Sequence, residues 1–231
     1  MKIAIVSHSA ELGGSEKCLL DMATTLKSLG HSVIVLLPKH GPLLTELQNK
    51  KIPTKPILLY WWLTTEHPRP FIIRIAAFVL NFLLSLILAP WLFLNRIDLV
   101  ITNTIASPLG ALSAQMVLIP HFWYIHEVID SCIFDLGDTL SRKMIDHLSK
   151  KIIINSDWNF EASGKYFPEE KTKILFPCIS INKPKQITPK RLSPNMTVLV
   201  AGRIEPLKNQ LEAIHALHTL KSIGKNTKRI C

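Results

Sequence analysis

The sequence predicts an α/β protein on a Rossmann-like, doubly wound parallel sheet, followed by a fragment of a second domain of the same kind. Three observations lead there. Short apolar runs alternate with amphipathic stretches of helical length, the rhythm of strands joined by crossover helices. That rhythm breaks at Ser180–Pro194, a polar, basic stretch with three prolines and no periodicity, and then restarts. Finally, 231 residues of which 48% are hydrophobic suffice for one large domain, or one domain and part of another.

Taken in order, Ile3–Val6 reads as a strand and Gly13-Gly14-Ser15 as a turn. Glu16–Leu29 then forms a helix closed by Gly30. Val33–Leu37 is the next strand, and Gly41-Pro42 opens a short helix through about Gln48. Ile57–Tyr60 is expected as a third strand and Leu99–Thr102 as a fourth, with a helix from about Pro108 to Met116. Phe122–Ile125 is a fifth strand, ending at His126. Leu140–Leu148 is helical, Ile152–Ile154 is a strand, and Asp157–Tyr166 is a helix capped by Ser156 or Asp157. Lys173–Phe176 closes the set. Residues 1–179 thus make the first domain, 180–195 a linker, and 196–231 the start of a second. In that last piece Met196–Val200 is a strand, Ala201-Gly202-Arg203 a turn and Pro206–Leu220 a helix, with Leu207, Leu211, Ile214 and Leu217 on one face. One strand and one helix cannot bury their own core, whereas a complete domain of this type takes on the order of 150 residues. Lys225–Cys231 follows no expected pattern, and the restart is read as truncated.

Lys and Arg number 27 against 17 Asp and Glu, a net charge of +10. This favours anionic partners: phosphorylated small molecules, an anionic lipid surface, or nucleic acid. The basic residues form short scattered groups with no aromatic interleaving, so nucleic acid is not expected. Cys18, Cys132, Cys178 and Cys231 form no C-x-x-C pair. Neither a zinc site nor a disulfide framework is indicated, and a reducing cytoplasm fits. The apolar run at the N-terminus is too short for a secretory leader, so the sequon at Asn195-Met196-Thr197 reads as accidental.

Ile75–Leu94 has no charged residue and is about long enough to cross a bilayer. Asn81 and Ser85 within it, Pro90, and its place between two strands of one sheet argue against a crossing. A span would also make this an integral membrane protein, a reading kept as one alternative. A buried crossover helix is one expectation. The favoured one is a helix lying partly in the headgroup region, with Trp61, Trp62, Trp91 and the flanking Arg69, Arg74 and Arg96 as anchors.

Gly13-Gly14 follows a strand and opens a helix, where backbone N–H groups can meet a phosphate. The pair is short of the dinucleotide fingerprint, and Leu36-Leu37-Pro38 offers no acid for a ribose. A plain tight turn reads equally well. His126 and Glu127 sit at the carboxyl end of a strand, where open α/β sheets bind ligands. Ser156-Asp157 ends another strand, most simply as a helix cap. Gly202-Arg203-Ile204-Glu205-Pro206-Leu207-Lys208-Asn209 puts two cations where a helix begins. The helix dipole is already positive there, so Arg203 and Lys208 together suggest a bound anion such as a diphosphate.

Ile3–Glu16, Asp98–Thr102, Trp123-Tyr124-Ile125-His126-Glu127, Ile152–Ser156 and the Gly202–Lys208 block, in this order, resemble the retaining family 4 glycosyltransferases of the GT-B type. The resemblance implies an N-terminal acceptor domain and a C-terminal nucleotide-sugar domain with catalysis between them. It places Gly13 and Gly14 near the donor phosphates or sugar, His126 beside the transferred sugar, and Arg203 and Lys208 on the diphosphate. It implies front-face transfer assisted by the leaving phosphate, without an essential metal or a cofactor beyond the nucleotide-sugar substrate. The acceptor would be a glycan or lipid-linked, and the protein cytoplasmic, peripheral on the inner face of the cytoplasmic membrane. The family's two-glutamate motif and its base and ribose contacts have no counterpart here. The 231 residues are therefore expected to be inactive by themselves. The alternative is a non-catalytic acceptor- or membrane-binding remnant or subunit that needs a separate donor-domain chain.

Overall fold

The computed structural model describes residues 1–38, 40–177, 196–202, 204, 209–222 and 227–230. It divides into two units, Met1–Ser180 and Ile181–Cys231. The first is built on seven parallel strands. These are β1 (Lys2–Ser7), β2 (Ser32–Leu37), β3 (Thr54–Pro56), β5 (Leu99–Asn103), β6 (His121–Ile125), β8 (Lys151–Ile154) and β9 (Thr172–Ile174). Their spatial order is β3-β2-β1-β5-β6-β8-β9. The chain winds outward from β1 to β3, crosses back, and winds outward again from β5. β1 and β5 are neighbours, in register from Ile3↔Leu99 to Ser7↔Asn103, and mark the point where the winding reverses.

Parallel strands are covered on both faces, so they read as unbroken apolar runs. In β1, Ile3 and Ile5 join a core with Leu19 and Ala23 of α1 (Gly14–Ser28) and with Leu43 and Leu47 of α2 (Pro42–Asn49). Ala4 and Val6 face the other way, toward Leu88 and Leu92 of α3 (Phe71–Leu94) and Leu109 and Ala114 of α4 (Leu109–Met116). A third cluster covers the far side of the sheet, where Ile125, Ile152 and Ile154 meet Ile145 of α5 (Asp138–His147), Trp62, Trp123 and Phe167. Helix α1 ends as expected: Gly30 takes φ +85° and His31 N–H returns to Leu26 O at 3.1 Å, a left-handed closure that glycine makes without Cβ strain. At α6 (Asp157–Ser163) the Ser156 hydroxyl accepts from Asn159 N–H at 3.2 Å, so the cap is Ser156. A 3₁₀ turn, Gly164–Tyr166, continues it.

Several expectations are corrected. The third strand is Thr54–Pro56, not Ile57–Tyr60. Thr54–Pro56 pairs with Val35–Leu37, while Ile57 and Leu59 turn their side chains onto the α3 cluster. The last strand lies at Thr172–Ile174 rather than Lys173–Phe176. A two-stranded antiparallel pair, β4 (Leu63–Thr64) with β7 (Ile133–Phe134), had no period to betray it. Helix α3 starts at Phe71 and runs through Pro90 without a break. In the second unit, β10 (Met196–Val198) pairs in parallel with β11 (Thr227–Ile230), with α7 (Gln210–Ser222) between them in sequence. The segment that followed no pattern thus holds a strand. Leu211 and Ile214 of α7 are exposed. The linker 180–195 and residues 205–208 lie outside the described residues.

The crossover α3 sits on the sheet by a narrow edge: Ala77, Asn81, Ser85, Leu88, Ala89 and Leu92 are buried. Asn81 and Ser85 face inward. Asn81 Oδ1 accepts from Tyr60 N–H at 3.1 Å and from the Ser107 hydroxyl at 3.2 Å, and its amide donates to Tyr60 O at 2.8 Å. The Ser85 hydroxyl donates to Phe82 O at 2.6 Å. The opposite face is open to its surroundings, with Phe71 and Ile87 each 72% exposed.

Two outcomes test this packing. A Cβ on Gly110 of α4 would lie 2.4 Å from Thr102 Oγ1 and 3.0 Å from Val6 Cγ2. Gly110→Ala should therefore cost about 1–3 kcal/mol by overpacking, read as a lower urea midpoint at unchanged slope; an unchanged midpoint would contradict the close approach. His121, buried at the start of β6, shares a 2.8 Å hydrogen bond with Thr102 Oγ1, and burial lowers its pKa from 6.5 to about 3. The unfolded chain therefore protonates it at a higher pH than the folded one, so stability is lost as pH falls from about 6.5 toward 3. Urea midpoints measured between pH 7 and 4 should fall less steeply in His121→Phe than in the parent.

Candidate active site at the carboxyl edge of the sheet

All seven strands run in one direction, so their carboxyl ends share one edge, and at the β1/β5 reversal the connections leave toward opposite faces, the place where open α/β sheets bind ligands. Four polar segments meet there: Ser7-His8 after β1, Asn103-Thr104 after β5, His126-Glu127 after β6, and Asn155-Ser156 after β8. The expected residues Gly13, Gly14, His126 and Ser156 lie on this edge, together with His8, Glu16 and Asn103.

Asn103 joins two of the segments. Its amide nitrogen donates to Ser15 O in the first turn of α1 at 3.1 Å, and its Oδ1 lies 3.0 Å from His126 Nε2. With the carboxamide nitrogen used on Ser15, the oxygen accepts from His126, which puts the imidazole proton on Nε2 and leaves Nδ1 as the lone-pair nitrogen. The ring packs on Tyr124, centroids 4.2 Å apart. Burial, and next the proximity of His8, lower its pKa from 6.5 to about 4, so His126 is neutral at physiological pH.

Beneath it a second network fixes the backbone. Glu127 Oε2 accepts from its neighbour His126 N–H at 3.1 Å and from Ile105 N–H at 3.3 Å. Burial raises the Glu127 pKa, and these amide donors work against that rise. Asn159 Nδ2 donates to Glu127 O at 3.1 Å and to Asn155 Oδ1 at 3.0 Å. Thr104 takes φ +76°, which is strained for a β-branched residue. It is held there by its own N–H to Tyr124 O at 2.8 Å and by the Trp123 indole N–H to its carbonyl at 2.7 Å.

The glycine pair divides its work. Gly13 is the N-cap of α1, and a Cβ on it would lie 2.6 Å from Glu16 Oε2, so a larger residue there would displace the end of that carboxylate. A Cβ on Gly14 would meet nothing within 4 Å: this position faces open space, as a ligand-facing turn requires. Glu16 is buried, and its Oε1 lies 3.4 Å from His8 Nδ1. Burial lowers the His8 pKa, while Glu16 opposes the shift. The Trp61 ring lies against His8 at 5.3 Å. Arg203 and Lys208 lie outside the described residues, and among the described residues no cluster of His, Cys, Asp and Glu could hold a metal ion. His8, Glu16 and Asn103 were not singled out from the sequence. His8 and Asn103 could have been, since each stands where a strand of the parallel set ends.

A model of glycosyltransferase family 4 matches residues 12–181 of this chain, a span that holds Gly13, Asn103, His126 and Ser156. The alpha-1,3/1,6-mannosyltransferase alg2 of Schizosaccharomyces pombe is 24% identical over 250 aligned residues, covering 98% of this chain and 47% of alg2. HepE of Anabaena, solved in complex with UDP, superposes with a TM-score of 0.67 at 22% identity, over 95% of this chain and 58% of HepE. A glycosyltransferase from Rickettsia africae gives 0.64 at 20% identity, over 96% of this chain and 57% of its own. These two likenesses establish a shared Rossmann-like α/β fold, GT-B in type. The chain spans about half the length of alg2 and under three fifths of the two solved structures. With the family's model matching residues 12–181, well over half of its length, the chain belongs to glycosyltransferase family 4.

Proposed function

We propose that this chain is the acceptor-side half of a retaining glycosyltransferase that moves a sugar from a nucleotide-sugar donor to a glycan or lipid-linked acceptor. The observation that carries the reading is the neutral His126, oriented by Asn103 beside the open turn at Gly14. A transferred sugar gains positive charge as its bond to the diphosphate breaks. The lone-pair nitrogen of a neutral imidazole and nearby backbone dipoles stabilise such charge when they are fixed in advance. The Gly13-Gly14 turn brings amide groups of the α1 start within reach of the donor phosphates or sugar. Arg203 and Lys208 are the cations proposed for the diphosphate, where they would neutralise the leaving group. HepE has been solved with UDP and with UDP-glucose, which supports a nucleotide sugar as donor.

The reading includes a peripheral contact with the inner face of the cytoplasmic membrane through Ile75–Leu94. Support comes from α3, whose polar residues point into the protein and whose apolar side is exposed along its length. That is the pattern of a helix lying in an interface rather than crossing it.

Because the 231 residues span only part of alg2 and HepE, sugar transfer is expected from them once a family 4 donor domain is joined in frame after Lys208, and not by themselves. In the joined protein Arg203→Ala or Lys208→Ala should each weaken transition-state binding by roughly 1.5–3 kcal/mol, the range for a charge-assisted contact. His126→Ala should lower kcat more than it raises the donor dissociation constant. Unchanged turnover in the His126 variant would remove that residue from the reaction, and efficient transfer by residues 1–231 alone would overturn the division of labour.

A further inference from the structure

Between the edge strand β3 and the outer half of α3 lies a cavity of about 300 Å³. Its walls include Ile57, Leu58, Leu84, Ile87 and Trp91, and among the described residues the one charged side chain lining it is Lys55. The Lys55 ammonium lies 4.8 Å from the centre of the Trp91 ring, close enough for a cation–π contact that keeps the charge at the wall. Ile87 and Leu58, 72% and 67% exposed, carry the apolar lining out onto the open face of α3. The cavity is thus continuous with that face and not a separate internal void.

The surrounding charge narrows the occupant. From Lys50 to Arg96 the chain carries six basic residues, Lys50, Lys51, Lys55, Arg69, Arg74 and Arg96, and a single acid, Glu66; Arg69 is ion-paired with Asp135, so the other five set the sign of this surface. A second copy docking by the same face would bring like charges together, which disfavours association. An anionic bilayer surface offers the opposite sign around an apolar interior. We propose that the cavity receives one acyl chain of an anionic phospholipid from the bilayer on which α3 lies, with the lipid phosphate near Lys55. The inference rests on the membrane contact proposed above and adds a specific lipid seat to it. A seated chain would fix the depth and rotation of the helix and so set how the carboxyl edge, to which Arg69 is tied through its bond to Trp61 O at 2.7 Å, meets the membrane surface.

The test uses the full 231-residue chain with vesicles of phosphatidylcholine alone or mixed with phosphatidylglycerol, their acyl chains brominated so that bromine quenches any tryptophan it touches. The chain should float with the anionic vesicles and its fluorescence should be quenched. Trp91→Phe should lose most of that quenching, whereas Trp158→Phe, which removes an exposed indole on α6, should retain it. Lys55→Glu should reduce quenching several-fold, and inorganic phosphate should not displace the vesicles. Thermal unfolding of each variant reports that the fold is intact. Flotation with quenching unchanged in Trp91→Phe overturns the lipid seat and leaves the membrane contact standing. Failure to float with either vesicle overturns both. Sedimentation as a dimer without vesicle binding assigns the face to a second copy and overturns the proposal.

Discussion

A parallel sheet has no face that can be left to water, and this requirement shapes the rest of the molecule. Each strand of the central set presents apolar side chains alternately to α1 and α2 and to α3 and α4, so the crossovers must lie on the faces and polar chemistry is left to the edges. Because the winding reverses between β1 and β5, the connections diverge at the carboxyl edge, where sheets of this kind bind ligands. His8, Gly14, Asn103 and His126 are there for that reason. The same requirement recruits α3, but covering the sheet takes only one edge of a 24-residue helix. Its remaining apolar surface is not used by the first unit's core. The site and the exposed face are two consequences of one packing rule.

The polar edge is built by local devices of modest individual strength. Hydrogen bonds of 3.0 and 3.1 Å from Asn103 connect segments 23 and 88 residues away. Glu127 ties the backbone of its own strand end to that of the loop after β5. Thr104 is held in a strained conformation by Trp123 and Tyr124. Strain of this kind persists only where the surroundings over-determine it, and here they include Trp123 of the third core cluster. The rigidity of that cluster therefore supports the orientation of groups that contact it only indirectly.

Much of this was legible in the residues. Ile3–Val6, Val33–Leu37, Leu99–Thr102, Phe122–Ile125 and Ile152–Ile154 are buried strands rich in β-branched or aromatic residues, and their order placed Gly13, His126 and Ser156 on one edge. Asn81 and Ser85, the uncharged polar residues that stood out in the long apolar run, face the protein. Where the structure differs from the sequence pattern, the cause is tertiary. Ile57–Tyr60 looks like a strand because it is apolar, but Ile57 and Leu59 serve the α3 interface, and the ladder is made by Thr54–Pro56. Two-residue strands such as Leu63–Thr64 carry no period to detect. The Asn103 bridge joins positions with no local relation, so only its place at a strand end could have pointed to it. Arg203 and Lys208, read from sequence alone, lie outside the described residues.

The proposed chemistry depends on a neutral imidazole, oriented by Asn103 at the reversal of the sheet. Nuclear magnetic resonance of the ¹⁵N-labelled histidine rings, followed against pH with His126 assigned by substitution, measures this directly. The structure requires a ring protonated on Nε2, unchanged across the physiological range and titrating only near pH 4, with that tautomer weakened in Asn103→Ala. A His126 ring that titrates near its ordinary 6.5, indifferent to Asn103, would contradict it.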